Sequence, residues 1–469
     1  MDSSFGFIFG LFKTYTLMLQ FTSLNVFAPF CAAGYDDRGL IIKSEVSSMR
    51  LRDWDRNLKI RLFGEALMNI TYWMFFPFLT IYFADEFGKE QAGFLLVFSQ
   101  VFSVLANLMG GYCADRFGRK KMLVLSSAGQ GVSFLIFALS VSPWLDAPLI
   151  GFACFALAGV FGSFYWPASQ AMIADVVKEK DRSNVFAVFY TSINLAVVIG
   201  PILGAIFYVN YFFELLVFAG FICFLLSGML FLWTRETAPE SVLNRKGSTK
   251  WHHFLLQQLG EYKIIFKDRA FLLYIGAGVL AAQTFMQLDM LMPVYTKETV
   301  QNEELFSFGS WSFTLGGEQA FGFLLSENGL LVALLTISVT KWMTLYKERN
   351  VFILSSVLYA VSIFLFGQFS FLWGLIFAMA LFTLAELMTA GLQQSFVSKL
   401  APEHMRGQYF AAASLRYTVG RTIAPLSIPM TVWFGFQWTF AILGILALAS
   451  AALYWVTFAV YEKRSEKSA

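Results

Sequence analysis

The chain has 469 residues, 57% of them hydrophobic and 14% charged, against about 45–50% and about 25% in an ordinary soluble domain, which excludes a soluble globular protein. A mean hydropathy of +0.62 and 54 phenylalanines suit a chain whose solvent is lipid, and exclude disorder and a nucleic-acid-binding surface. The net charge of +3 matters through its placement along the chain rather than its size.

Residues 1–48 begin with an apolar stretch from Phe5 to Ala33 that Lys13, Asn25 and Pro29 interrupt. It lacks the charged start of a signal peptide. The segment is expected to be an extraneous or poorly ordered extension before a natural start at Met49, with an interfacial helix as the rival reading. A hydrocarbon core about 30 Å thick needs about 20 apolar residues per helix, and twelve such runs follow. Six have cores near 61–84, 91–112, 121–142, 148–174, 184–209 and 212–233. Six more lie near 270–296, 327–346, 350–369, 371–397, 408–432 and 435–460. The expected fold is an all-α membrane protein with 12 transmembrane helices in two six-helix bundles, 49–234 and 269–469, the second ending in a short cytoplasmic tail. Residues 235–268, rich in charge and holding Pro239, Gly247 and His252, form a cytoplasmic linker.

Basic loops stay on the cytoplasmic side. Alternate loops, with the linker and the tail, hold 27 Lys and Arg residues, while the intervening ones hold only Lys89 and Lys297. The chain is therefore expected to be a multi-pass protein of the cell membrane with both termini cytoplasmic. Cys31, Cys113, Cys154 and Cys223 form no C-x-x-C pair, so no disulfide framework and no metal site are expected. No phosphate-binding loop or nucleophile motif appears, which argues against an enzyme. Energy would then come from an ion gradient, most naturally of protons, with no cofactor.

Between spans two and three the chain reads Gly110-Gly111-Tyr112-Cys113-Ala114-Asp115-Arg116-Phe117-Gly118-Arg119-Lys120-Lys121. This loop, in a chain of six plus six spans, resembles the signature of the major facilitator superfamily. Gly111 would allow close helix packing and Gly118 a tight turn. Asp115 could accept hydrogen bonds from a helix N-terminus, which the resemblance places on span eleven. The resemblance also implies that Arg119 pairs with an acidic residue ending span four, here Asp175, and that Gly111, Asp115, Arg116, Gly118, Arg119 and Asp175 form a conformational latch; the alternative is that Arg116, Arg119, Lys120 and Lys121 merely enforce topology. The second copy of the loop, from Lys341 to Arg349, keeps charge but lacks the Gly and Asp. Span five carries Gly200-Pro201-Ile202-Leu203-Gly204-Ala205, similar to an element typical of the family's antiporters. Pro201 can kink the span, and Gly200 and Gly204 offer a smooth packing face.

An ionisable group at mid-bilayer costs about 2.5–3.5 kcal/mol on insertion scales, so each needs a cavity, a partner or a function. Asp289 sits in the outer half of span seven and Glu386 near the middle of span ten. Both segments resemble LmrP-type multidrug/proton antiporters, in which carboxylates at these places serve proton coupling and cationic substrates. Arg61 and Arg416 fall where that group also carries basic residues. Two departures matter. Phe189 stands where the group has an acidic residue, and Glu65 in span one stands where it has none. Burial in an apolar cavity favours the neutral form of a carboxylate, which suits uptake of a proton on one side and release on the other. The structural alternative is that Asp289 and Glu386 only bridge to Arg416 or Arg421, and Glu65 to Arg61 one helical turn away. Tyr190, Asn194, Met286, Gln287 and Gln393 are candidate cavity residues. Residues 297–326 would cap the outer vestibule.

The resulting expectation is a monomeric, proton-coupled exporter of small amphipathic or cationic solutes working by alternating access. The rival is a proton-linked carrier of one metabolite, sugar or lipid. The bilayer is the one large partner, and no nucleic acid is expected.

Overall fold

The computed structural model describes residues 51–239, 260, 268–308, 311–402 and 405–468. The expected extension 1–48 and most of the expected linker lie outside them. Helices predominate because a backbone surrounded by lipid must satisfy its own hydrogen bonds. In chain order they are α1 Arg56–Phe75, α2 Leu79–Phe87, α3 Lys89–Phe117, α4 Arg119–Ser140, α5 Pro148–Val176 and α6 Glu179–Trp233. The C-terminal half continues with α7 Arg269–Phe285, α8 Leu291–Thr299, α9 Gly317–Met343, α10 Glu348–Phe366, α11 Leu372–Ala390 and α12 Leu392–Leu400. It closes with α13 Arg406–Ala413, α14 Leu415–Ile423 and α15 Ser427–Ser468.

Among the described residues, ten continuous stretches are long and apolar enough to cross a membrane. Two of them, 50 residues over Asn184–Trp233 and 57 over Gln408–Arg464, would measure about 75 and 85 Å at 1.5 Å per residue, more than twice the hydrocarbon thickness. Each contains a residue with non-helical backbone angles, Tyr211 (φ −134°, ψ 32°) and Gly435 (φ 75°). Dividing them there accounts for the difference between ten stretches and twelve expected spans. Each half starts from an aspartate cap. Asp55 accepts from Asn57 N at 2.8 Å before α1, and Asp268 from Ala270 N at 3.0 Å and Phe271 N at 3.2 Å before α7.

The eighth span departs from expectation. Helix α9 starts at Gly317, ten residues before the expected 327, and the segment ahead of it folds into an antiparallel hairpin, β1 Glu303–Phe308 with β2 Trp311–Leu315. Gln319 Oε1 caps the helix by accepting from Gly316 N at 3.1 Å. Polar residues in this first turn mask it from a hydropathy reading.

One apolar cluster joins both halves, packing Phe78, Ile81 and Tyr208 with Leu291, Phe321 and Leu324. It lies toward the face that carries Lys89 and Lys297. There Lys89 meets Glu298 at 2.7 Å, Lys297 pairs with Asp85 across the halves, and Trp433 Nε1 donates to Glu90 at 3.2 Å. A Cβ on Gly322 would meet the Pro201 carbonyl at 3.2 Å, and one on Gly93 the Pro425 carbonyl at 3.0 Å, so α9 sits directly on α6 and α3 on the last spans. Toward the opposite, basic face the clusters around Trp54 and Met122 belong to one half and that around Phe396 to the other. No ion pair joins the halves there among the described residues. The molecule is closed at the lysine-poor face and parted at the basic one.

Candidate functional site

The parted halves enclose a cavity of about 1620 Å³. Glu65, Asp289, Glu386 and Arg421 line it, as do Tyr190, Asn194 and Met286. Two expected members do not. Gln287 is fully buried, stitching span seven to span eleven by donating to the Ala424 carbonyl at 3.3 Å and accepting from Ser427 Oγ at 2.6 Å. Gln393 accepts from Tyr417 OH at 2.6 Å outside the cavity wall.

The carboxylates differ in what neutralises them. Glu65 Oε1 accepts from Arg61 Nε at 2.7 Å and from Tyr165 OH at 2.8 Å. Arg61, 0% exposed, donates its remaining bonds to the Ser169 carbonyl at 2.8 Å and to Ser169 Oγ, and its guanidinium lies 5.0 Å from the Phe189 ring. The ring that replaces the acidic residue of the LmrP group thus covers a charge already paired with Glu65. Asp289 and Glu386 make no ion pair within 4 Å among the described residues. Glu386 Oε2 accepts from Asn328 Nδ2 at 3.2 Å, and the same amide donates to Thr383 Oγ1 at 2.9 Å. Asp289 Oδ1 is enclosed and has no hydrogen-bond partner there.

The basic residues do not supply the missing partners. Arg416 is buried against Gly278, bonded to Tyr274 OH and 5.0 Å from the Tyr274 and Tyr417 rings, with no carboxylate within 4 Å among the described residues. Arg421 makes no hydrogen bond or ion pair among the described residues, although its charge reaches Asp289. The structural alternative for Asp289 and Glu386 is therefore not what the structure contains, whereas Glu65 and Arg61 do form the buried bridge.

At the basic face Arg119 Nε lies 3.1 Å from Asp175 Oδ2 and its Nη1 donates to the Ala114 carbonyl at 3.0 Å. Among the described residues the partner of Asp115 is Arg119 at 3.0 Å, and its side chain is 58% exposed; the expected partner, the N-terminus of span eleven, lies at the edge of the described residues. Gly111 departs from expectation. A Cβ there would meet nothing within 4 Å, while one on Gly110 would lie 2.8 Å from Pro167 Cγ, so Gly110 is the packing glycine. Gly118 turns with φ +95°. Against it sits Glu236, whose carboxylate accepts from Arg119 N at 2.8 Å and Lys120 N at 3.2 Å, capping α4. Arg116 stacks near Tyr112 and Phe117 at 5.8 Å. On α6, Gly200 and Gly204 let the helix lie against the backbone of Trp73 and Met74 on α1, and Pro201 is buried between them.

Sequence reasoning missed Asn328, its neighbour Glu327, whose Oε2 is enclosed without a hydrogen-bond partner among the described residues, and Glu236. Starting the eighth span at 327 put the first two at a membrane edge instead of mid-helix.

The family model of the Major Facilitator Superfamily matches residues 62–317 and 305–469. The chain is 57% identical over 420 residues to the Na(+), Li(+), K(+)/H(+) antiporter of Planococcus maritimus, covering 89% of this chain and 99% of that one. It is 22% identical over 407 residues to multidrug resistance protein MdtH of Photorhabdus laumondii, covering 82% and 90%. A crystal structure of a POT family transporter in complex with 5-aminolevulinic acid superposes with a TM-score of 0.70 at 18% identity, covering 87% of this chain and 97% of that one, a likeness of fold.

Proposed function

The chain belongs to the Major Facilitator Superfamily, and we propose that it is a proton-coupled antiporter that exports cations, monovalent metal cations first among them. The observation that carries this reading is the pair Asp289 and Glu386, which line the cavity with no ion-pair partner among the described residues. An unpaired carboxylate in a low-dielectric interior must be neutralised. A proton and a cation can each do so, and competition between them is exchange. The relative from Planococcus maritimus, named for Na(+), Li(+), K(+)/H(+) antiport, supports metal cations as substrate. The basic face is taken as cytoplasmic, the membrane as the cell membrane, the carrier as a monomer, and the halves 49–234 and 269–469 as the rocking units. Arg119, Asp175, Asp115 and Glu236 then form the conformational latch at that face, and Gly200, Pro201 and Gly204 the rigid contact of spans one and five.

A second reading has its own observation. The cavity exceeds the roughly 300–1,000 Å³ of ordinary ligand pockets, and Tyr72, Trp73, Trp166 and Tyr190 line it. Aromatic faces attract organic cations, so amphipathic cations are the second substrate class, in keeping with the MdtH relatives.

Everted membrane vesicles under an imposed pH gradient separate the two. Collapse of the gradient on adding Na+, Li+ or K+, lost in Asp289→Asn or Glu386→Gln, supports metal cation antiport. Gradient-driven movement of ethidium without response to those ions supports the second class. Wild-type activity of either kind that survives in both variants overturns the role given to the carboxylates.

A further inference from the structure

Three spans leave α-helical geometry in 3-10 turns, Phe76–Phe78, Met286–Leu288 and Ala424–Leu426. The turn in span seven is followed by Asp289, and four residues later by Pro293. In an unbroken helix the Asp289 carbonyl would accept from the N–H of residue 293, and proline has none. The carbonyl is taken instead by the other half of the molecule, through Thr80 Oγ1 at 2.9 Å. Thr80 is 3% exposed. The same aspartate carries the enclosed Oδ1 that has no partner among the described residues.

We propose that Thr80 and Asp289 form a split site for a dehydrated alkali cation, Na+ or Li+, with Asp289 Oδ1, the Asp289 carbonyl and the Thr80 hydroxyl as oxygen ligands. The proposal rests on the antiport reading above and names its site. A hydroxyl accepts as well as donates, so rotation of its hydrogen turns a lone pair toward a cation. Carboxylate, carbonyl and hydroxyl oxygens are the ligands hard cations take, and broken helices supply such oxygens at the midplane of carriers. One carboxylate balances one charge, which matches a monovalent ion. Among the described residues no three His, Cys, Asp or Glu side chains converge to hold a more demanding metal. The charges reaching Asp289 from the surrounding helices are Arg421 on α14 and Glu386 on α11, with the neutral Tyr72 on α1. Arg421 opposes the cation by charge but bonds to none of its ligands.

The site's division between the halves gives it direction. Thr80 reaches Asp289 only while the lysine-poor face is shut, so the shell is complete in the state open to the basic face. Opening the other face withdraws Thr80, the cation loses a ligand and leaves, and Asp289 is left for a proton.

The test is the concentration dependence of Na+- and Li+-driven proton exchange in everted vesicles. Thr80→Val raises the KM for both ions about tenfold, the loss expected for a ligand worth about one ordinary polar contact, while Thr80→Ser stays close to wild type. Pro293→Ala returns an N–H donor to the Asp289 carbonyl and raises the KM as well, which decides the matter if Thr80→Val fails to fold. Unchanged KM in the folded variants, or a lower rate at unchanged KM, overturns the site and leaves the antiport reading standing. A wild-type carrier with no Na+- or Li+-dependent exchange overturns both.

Discussion

Asn328 on α9 donates to Glu386 on α11 at 3.2 Å, the one hydrogen bond holding that carboxylate among the described residues. A donor of this kind favours the charged form that a cation must meet. Asn328→Ala removes it from a buried acceptor, worth about 1–3 kcal/mol. The account expects the cation concentration for half-maximal exchange at fixed pH to rise about tenfold, with little change in maximal rate. Vesicle exchange assays across a cation series check this.

Glu65 is predicted to behave differently from the other two carboxylates. Removing one member of a buried ion pair costs about 3–5 kcal/mol, while replacing both by apolar residues is often neutral. Glu65→Gln alone should therefore lower thermal stability sharply in detergent. The double variant Arg61→Met with Glu65→Leu should regain stability and keep gradient-driven exchange. Loss of exchange in a stable double variant would instead place Glu65 in the proton path.

Glu236 caps α4 through two backbone N–H groups beside Gly118. Glu236→Ala removes a cap of a kind worth about 0.5–2 kcal/mol. The expected result is a melting temperature lower by a few degrees and a reduced transport rate with unchanged KM, since the latch lies outside the cavity. Gly118→Ala should be worse, because it combines strain at φ +95° with a clash against the Glu236 carboxylate.

The spans were legible in the sequence because each rests on a run of apolar residues, whereas the contact between Arg119 and Asp175, 56 positions apart, was expected only through the resemblance that the charged loop carries. The Glu236 cap was not, since it joins residues 117 positions apart and Glu236 lies in the stretch read as linker. Asn328 was hidden by the polar first turn of α9, where Glu318 and Gln319 lie beyond the apolar run. Gly110 and Gly111 are adjacent, and only helix rotation decides that Gly110 meets Pro167. The pairing of Arg61 with Glu65 followed from their i, i+4 spacing, whereas the lack of an ion pair at Asp289, Glu386 and Arg421 among the described residues depends on where three different helices stand.

Lys297 pairs with Asp85 across the halves and with Glu318 at 3.5 Å within its own. Exposed ion pairs contribute about 0.2–1 kcal/mol, so Lys297→Ala should shift the balance between the two open states by up to about fivefold toward opening the lysine-poor face. Labelling of a cysteine placed at the exposed Gln301 reads that shift, and high salt should reduce the difference between variant and wild type.

The proposed antiport requires that a proton and a metal cation compete for the same cavity carboxylates. The most direct measurement is proton release when Na+ or Li+ is added to the purified carrier in weakly buffered detergent solution. The account predicts a saturable release that disappears when Asp289→Asn and Glu386→Gln are combined. No release from the folded carrier, or equal release from the combined variant, would contradict it.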